Sequence, residues 1–185
     1  MAEGPAEDLD ALIKRVDPDR WLSSRFIADP EKRADVIALY AFDYELRRAV
    51  EGTSNPIMAE IRLTWWSEAL DEIYERRPVR KHPTAEALAR AVERRGPPRD
   101  MLEEILEARS ARAPAEPLLA EVAAFLLDPN VDRTSVRAAV TGDRRCARRV
   151  SAGAFPAVAH VAARGAAGAL RKRLRVTWAV LRGRL

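Results

Sequence analysis

The sequence predicts an all-α protein of one domain. Alanine, leucine, glutamate and arginine dominate its 185 residues, and all four are strong helix formers. No run of alternating β-branched residues indicates a strand. Proline follows Asp29 and Asn55, and a polar N-cap before proline is typical of the first turn of a helix. We therefore expect a helical bundle without a sheet.

Two long helices are predicted first. One runs from Pro30 to Glu51, and the next runs from Pro56 to Arg76. Shorter helices are expected at 84–95, 99–111 and 118–127. Few large apolar residues lie in 128–151, which predicts a loop, a marginal helix and a loop. The expected organisation is an N-terminal extension, a main helical region, a linker and basic C-terminal helices, at 1–16, 17–127, 128–151 and 152–185.

Charge is distributed unevenly along the chain. Residues 129–185 hold 13 basic and 2 acidic side chains, whereas the first 128 residues hold 19 basic and 26 acidic ones. A basic C-terminal third predicts an anionic partner, such as lipid headgroups, nucleic acid or an acidic protein face. There is no helix-turn-helix pattern or zinc-ligand spacing, and the basic residues are not interleaved with stacking aromatics. We therefore expect no nucleic-acid partner.

The histidines and the single cysteine give weaker signals. We expect His82 to be an exposed loop residue and His160 to be a packed or surface helix residue, since neither has companions for a metal site or a triad. Cys146 lies among arginines, which would lower the pKa of a partly exposed thiol. It is either a reactive thiol or an incidental residue.

Charged residues recur along one face of the first long helix. Asp43, Arg47 and Glu51 are four residues apart. Carboxylates at that spacing could hold Mg²⁺ through a diphosphate, but the middle position is an arginine, and the outer two lie roughly 12 Å apart. The pattern favours solvated charges or ion pairs over a metal site.

Apolar stripes mark two other helices. Met58, Ile61, Trp65 and Ala69 form one stripe, flanked by Trp66, and core packing or an apolar ligand cleft would produce the same pattern. Near the C-terminus, a stripe with Trp178 at its centre is surrounded by cations. This pattern is typical both of an interfacial helix and of a docked terminal helix. The surface cations and the tryptophan are Arg171, Lys172, Arg173, Arg175, Trp178 and Arg182.

Three segments together resemble the squalene/phytoene synthase family. They are "DPDRWLSSRFIADPEKRADVIALYAFDYELRRAV", "EIRLTWWSEALDEIY" and the final "LRKRLRVTWAVLRGRL". The tryptophan-rich second segment is similar to a proteobacterial and mitochondrial branch that includes a factor for respiratory complex I assembly. The resemblance implies a truncated isoprenoid synthase fold and a cleft lined by Tyr40, Tyr44, Trp65 and Trp66.

The aspartate-rich motifs of that family are not retained. Active members join two prenyl diphosphates with Mg²⁺ held by two D-x-x-x-D motifs on facing helices. The resemblance places the first motif at Arg47 and Glu51, with Arg48 where a further aspartate often stands. The second motif has no candidate, and 128–151 joins segments that are farther apart in active members. We expect an internal deletion that opens one side of the bundle and exposes apolar surface.

These observations predict a catalytically inactive protein without a metal or other cofactor, which acts by binding. The resemblance implies a role in respiratory complex I assembly at a membrane. The alternative is an Mg²⁺-dependent prenyltransferase that condenses two farnesyl or geranylgeranyl diphosphates. Expected partners are a protein, an anionic membrane surface or a prenyl lipid. The acidic N-terminus and the absence of a long apolar run predict a cytoplasmic protein, peripheral on the inner membrane.

Overall fold

A computed structural model describes residues 8–143 and 145–185. The described residues are 72% helical and contain no strand. The predicted all-α fold class is confirmed. The described α-helices are α1 (Leu9–Val16), α2 (Pro18–Ser24), α3 (Pro30–Glu51), α4 (Pro56–Tyr74), α5 (Pro83–Arg95), α6 (Arg99–Ser110), α7 (Glu116–Leu127), α8 (Arg133–Thr141), α9 (Pro156–Ala159) and α10 (Ala169–Arg182).

Helix α3 is the central element of the bundle. It packs against α1, α2 and α4 to α7, and most of its apolar side chains are buried. The predicted caps are present: the Asp29 carboxylate accepts from the N–H groups of Glu31 and Lys32, and the Asn55 side chain accepts from that of Ile57. Both boundaries of α3 agree with the sequence, while α4 ends two residues before the predicted Arg76.

Two segments outside the predicted main helical region also belong to the core. Within the predicted N-terminal extension, α1 buries Leu12 and Ile13 and packs against α3. Within the predicted linker, α8 buries Val136 and Val140 against α7. The expected order of loop, helix and loop is observed, with a further 3₁₀ turn at Cys146–Arg149. The single helix is short, but its apolar face completes the core.

Of the two environments expected for the Met58 stripe, core packing does not hold for the first half of α4. The buried face of that helix carries Leu63 and Trp66, followed by Ala69 and Ile73. Ile57, Met58 and Ile61 are exposed instead. Ile61 and Leu63 are two residues apart and point in nearly opposite directions on a helix, so one helix face cannot bury both. We call Ile57, Met58 and Ile61 the α4 apolar patch.

Buried carboxylates tie the helices together through arginine pairs. Asp35 on α3 is completely buried and accepts hydrogen bonds from Arg94 and Arg95 of α5. Glu121 on α7 is bound by Arg133 and Arg137 of α8. Buried carboxylates of this kind are stabilised only while their cations are present. Within the described ranges, no helix is both long and apolar enough to cross a membrane.

Candidate functional site

The residues expected at the first aspartate-rich motif, Arg47, Arg48 and Glu51, lie on the C-terminal half of α3. The Arg47 side chain is partly buried, and the Arg48 and Glu51 side chains face solvent. Nη1 of Arg48 donates to the Glu45 carboxylate at 3.1 Å, one turn earlier on the same helix. This part of α3 therefore presents positive charge to solvent, and the nearby Glu45 carboxylate is paired with Arg48.

Asp43 precedes the motif by one turn and is the most deeply buried carboxylate of this region. Both Nε and Nη2 of Arg109, on α6, lie 2.7 Å from its Oδ1 atom. Nε of Arg47 lies 3.5 Å from the other oxygen, Oδ2. The pairing of Asp43 with Arg47 agrees with the ion pairs expected from their spacing. The stronger contact comes from Arg109, 66 residues along the chain, which local spacing could not indicate.

These residues do not fit a magnesium site. Mg²⁺ in a prenyl diphosphate site needs converging carboxylates. Here Asp43 is held between two guanidinium groups, Glu45 is paired with Arg48, and Glu51 stands alone in solvent. Across residues 8–143 and 145–185, no three histidine, cysteine, aspartate or glutamate side chains form a group that could hold a metal ion.

A pocket of about 320 Å³ lies between the second half of α3 and the middle of α4. We call it the α3–α4 pocket. Trp65, Trp66 and Ile61 form its apolar wall, and Arg48 and Arg62 supply positive charge. The remaining lining residues are Glu45, Ala49 and His82. An aromatic wall beside two guanidinium groups can accept an apolar chain that carries an anionic end.

The aromatic wall is held in place by edge-to-face contacts. The ring centroids of Trp65 and Trp66 are 4.9 Å apart at an interplanar angle of 84°, and Phe42 of α3 lies 5.3 Å from Trp66. The guanidinium of Arg80 lies 4.8 Å from the Trp65 ring and also binds Glu72. The wall is therefore rigid on its core side, because packing and an ion pair both restrain it.

His82 contributes to this pocket, which corrects its prediction as an exposed loop residue. Its ring is half-buried and contacts Trp65 and Trp66 at centroid distances of 5.4 and 5.2 Å. The Nδ1 atom is buried, and no described polar atom lies within hydrogen-bond distance of it. Pro83 marks His82 as the N-cap residue of α5, but no sequence signal indicates that the His82 ring lies against Trp65 and Trp66.

The two tyrosines expected in the cleft lie elsewhere on α3. Tyr40 is buried below the Arg20 guanidinium, which is 5.8 Å from the ring, and burial raises the pKa of the Tyr40 hydroxyl. Tyr44 is half-buried, with the guanidinium carbons of Arg47 and Arg48 5.9 and 6.0 Å from its ring. The structure thus brings Trp65 and Trp66 together at the pocket and places Tyr40 and Tyr44 outside its lining.

Two other residues singled out in the sequence have structural partners. His160 is buried, which agrees with the packed position of the two that were expected. Burial lowers the pKa of its ring. Its Nε2 atom lies 3.1 Å from Glu116. Cys146 donates to the Asp143 carboxylate at 3.3 Å, and this hydrogen bond raises the pKa of the thiol. The expected lowering by arginines is wrong, because the acceptor Asp143 is the dominant neighbour.

The C-terminal apolar stripe and its surrounding cations lie on α10. This helix packs on the rest of the protein through its other side. Val176 and Ala179 are buried, and Nζ of Lys172 lies 2.7 Å from Asp19 of α2. Trp178 is exposed, and Arg182 stacks on it with 4.0 Å between its guanidinium carbon and the ring centroid. Arg171, Arg173 and Arg175 are also exposed. The helix is therefore docked and also presents its Trp178 face to solvent.

Comparison with known proteins identifies one family. The model of the squalene/phytoene synthase family matches residues 13–127, which reach from α1 to the last residue of α7. The match covers more than half of the chain and leaves α8 to α10 outside it. No curated protein and no solved structure matches the chain significantly. By its family match, the chain belongs to the squalene/phytoene synthase family.

Proposed function

We propose that this family member does not condense prenyl diphosphates and acts by binding. The proposal is supported by the positive charge on α3, where Arg47 and Arg48 stand at the positions that the resemblance assigns to the first motif and Asp43 is paired with Arg109. Ionisation of an allylic diphosphate requires several positive charges concentrated on the leaving group. Two arginines beside the pocket supply some of that charge, but they cannot gather magnesium ions.

The ligand best suited to the α3–α4 pocket is a prenyl lipid with an anionic head. Its chain would lie against Trp65, Trp66 and Ile61, and its head would approach Arg48 and Arg62. The α4 apolar patch begins at the rim of this pocket, because Ile61 belongs to both. An exposed apolar surface beside a ligand pocket is suited to a protein partner.

We propose that this binding serves an assembly role at the surface of a membrane, of the kind performed by respiratory complex I assembly factors. Support comes from the exposed apolar surfaces on α4 and α10 and from the surplus of basic residues in the C-terminal third. A protein that collects a lipid or a partner subunit at a membrane needs such surfaces and needs no reaction chemistry.

Loss of catalysis is tested by incubating the purified chain with Mg²⁺ and labelled farnesyl or geranylgeranyl diphosphate. We expect no head-to-head product and no pyrophosphate release above a heat-inactivated sample. Product formation would overturn the proposal and establish the alternative, a prenyltransferase. The aromatic wall and paired arginines of the pocket are the observation that favours this alternative.

Lipid binding is tested separately by tryptophan fluorescence in EDTA. Farnesyl diphosphate should quench the Trp65–Trp66 pair without Mg²⁺. Arg48→Gln should weaken the affinity roughly tenfold, because it removes one charge-assisted contact with the diphosphate. Arg90→Gln removes an exposed arginine of α5 and is the matched control. Equal affinities for the two variants would contradict binding in this pocket.

A further inference from the structure

Helix α10 carries two apolar faces, of which the fold uses only one. Val176 and Ala179 face α2, α9 and the 3₁₀ turn at His160–Ala163. At about 100° per residue, the opposite side of the helix carries a second stripe. Its four members are exposed large apolar residues: Leu170 (71%), Leu174 (61%), Trp178 (55%) and Leu181 (71%). We call them the α10 stripe.

Arginines border the α10 stripe on both sides. On a helical wheel, Arg171, Arg175 and Arg182 lie beside Trp178, and Arg173 lies along the other edge. Within the part of the chain that the structure describes, none of these four has a carboxylate within ion-pair distance. Lys172 differs, since it points to the docked side and binds Asp19. Nη1 of Arg175 donates to the backbone carbonyl of Arg164 at 3.3 Å, which leaves its charge uncompensated. The positive charge of the bordering arginines is thus available to an external anion.

We propose that α10 docks the protein on an anionic lipid surface, with the α10 stripe in the acyl boundary and its bordering arginines among the headgroups. A helix with this distribution lies in the plane of the interface, since its apolar face and its cations are satisfied at adjacent depths. Trp178 and Arg182, stacked on each other, are suited to the boundary itself.

Charge complementarity favours lipid over a second copy of the chain. Two copies that met through the α10 stripe would bring their bordering arginines together, and like charges across an interface are repulsive. A bilayer with anionic headgroups offers an apolar layer beside a layer of negative charge, which matches both parts of this surface. The inference rests on the membrane location in the proposed function and specifies the helix and the lipid class.

The test uses the full chain in flotation assays with two kinds of vesicle, phosphatidylcholine alone and phosphatidylcholine mixed with phosphatidylglycerol. We expect binding only to the mixed vesicles, and added salt should weaken it. Replacing Arg171, Arg175 and Arg182 by glutamine should weaken binding on the order of a hundredfold, because each well-placed cation contributes about fivefold. Replacing Arg145, Arg148 and Arg149 by glutamine removes equal charge from another exposed site and should change binding little.

A second pair of variants tests the apolar contact. Leu174→Ser with Leu181→Ser should weaken binding by more than about tenfold, since both side chains are expected to leave water on docking. Ile57→Ser with Met58→Ser alters the α4 apolar patch without changing a pocket-lining residue and is the matched control. Both pairs are exposed, so circular dichroism should show an unchanged fold. Brominated lipid should quench fluorescence in the wild type and quench it much less in Trp178→Phe.

Three results would overturn the inference, and they have different meanings. Wild-type protein that ignores anionic vesicles would contradict the membrane location as well. Binding that persists in both α10 variants would leave the membrane location standing and reject α10 as the docking helix. A dimer that the Leu174→Ser and Leu181→Ser changes dissociate would assign the α10 stripe to a second copy. Pyrophosphate release is measured independently and bears only on catalysis.

Discussion

Removal of the Arg109 guanidinium tests whether Asp43 is a structural ion-pair residue. In Arg109→Leu, the buried Asp43 carboxylate loses two donor atoms at 2.7 Å and keeps only Arg47, whose Nε is 3.5 Å away. Loss of one partner from a buried pair costs about 3–5 kcal/mol of folding stability. Because Arg47 still compensates part of the Asp43 charge, we expect a cost near the lower end, about 3 kcal/mol. For a chain of this length, the melting temperature should fall by about 6–12 °C.

Urea denaturation at neutral pH, followed by circular dichroism, measures this loss. The control is Arg48→Leu, which breaks an ion pair made by a side chain that is 62% exposed and should cost less than about 1 kcal/mol. Combining Arg109→Leu with Asp43→Leu should recover part of the loss, since no buried charge is left unpaired. A cost below about 1 kcal/mol for Arg109→Leu would refute the reasoning, because Asp43 would then be available to a metal ion.

Three further predictions concern acid stability, the aromatic wall and α8. The pKa of Glu116 is lowered from 4.5 to about 2 by a hydrogen bond from His160 and another from Arg164. The free energy of unfolding should therefore fall as the pH drops from about 4.5 to about 2. In urea titrations, Glu116→Gln should lose less stability over this pH range than the wild type, and an equal loss in both proteins would contradict the prediction. Arg80→Ala should shift tryptophan emission to longer wavelength by loosening Trp65, whereas Arg77→Ala, which breaks an exposed ion pair, should not. Val136→Ala should lower the free energy of unfolding by about 2 kcal/mol in denaturant titrations, and a cost below about 0.5 kcal/mol would show that α8 is not part of the core.

Sequence reasoning predicted the elements whose signals are local. Asp29 and Asn55 are N-caps because a short polar side chain precedes proline, and both caps are formed. The core of α3 followed from its apolar residues. α8 was harder to recognise, since Val136, Ala139 and Val140 are the only apolar residues that its nine positions bury, and so weak a periodicity resembles that of a loop.

The candidate site depended on contacts that sequence spacing does not encode. Arg109 and Asp43 are 66 residues apart, and no local pattern links them. His82 lines the pocket because the chain after α4 returns across Trp65, which only the tertiary structure determines. The α10 stripe was recognised as apolar, but its exposure depended on which edge of the helix docks. Val176 and Ala179 occupy that edge, which packs mainly against the 3₁₀ turn at His160–Ala163 and α2.

The arginine pairs of α3 also constrain the order of folding during synthesis. The cations that pair with Asp35 (Arg94 and Arg95) and with Asp43 (Arg109) are synthesised only after α3 is complete. While the ribosome is still producing α4, α3 carries two carboxylates whose pairing arginines on α5 and α6 do not yet exist. Burying α3 at that stage would bury both carboxylates without these partners. Early burial of α3 is therefore unfavourable, and the emerging chain should remain open until α6 has left the exit tunnel.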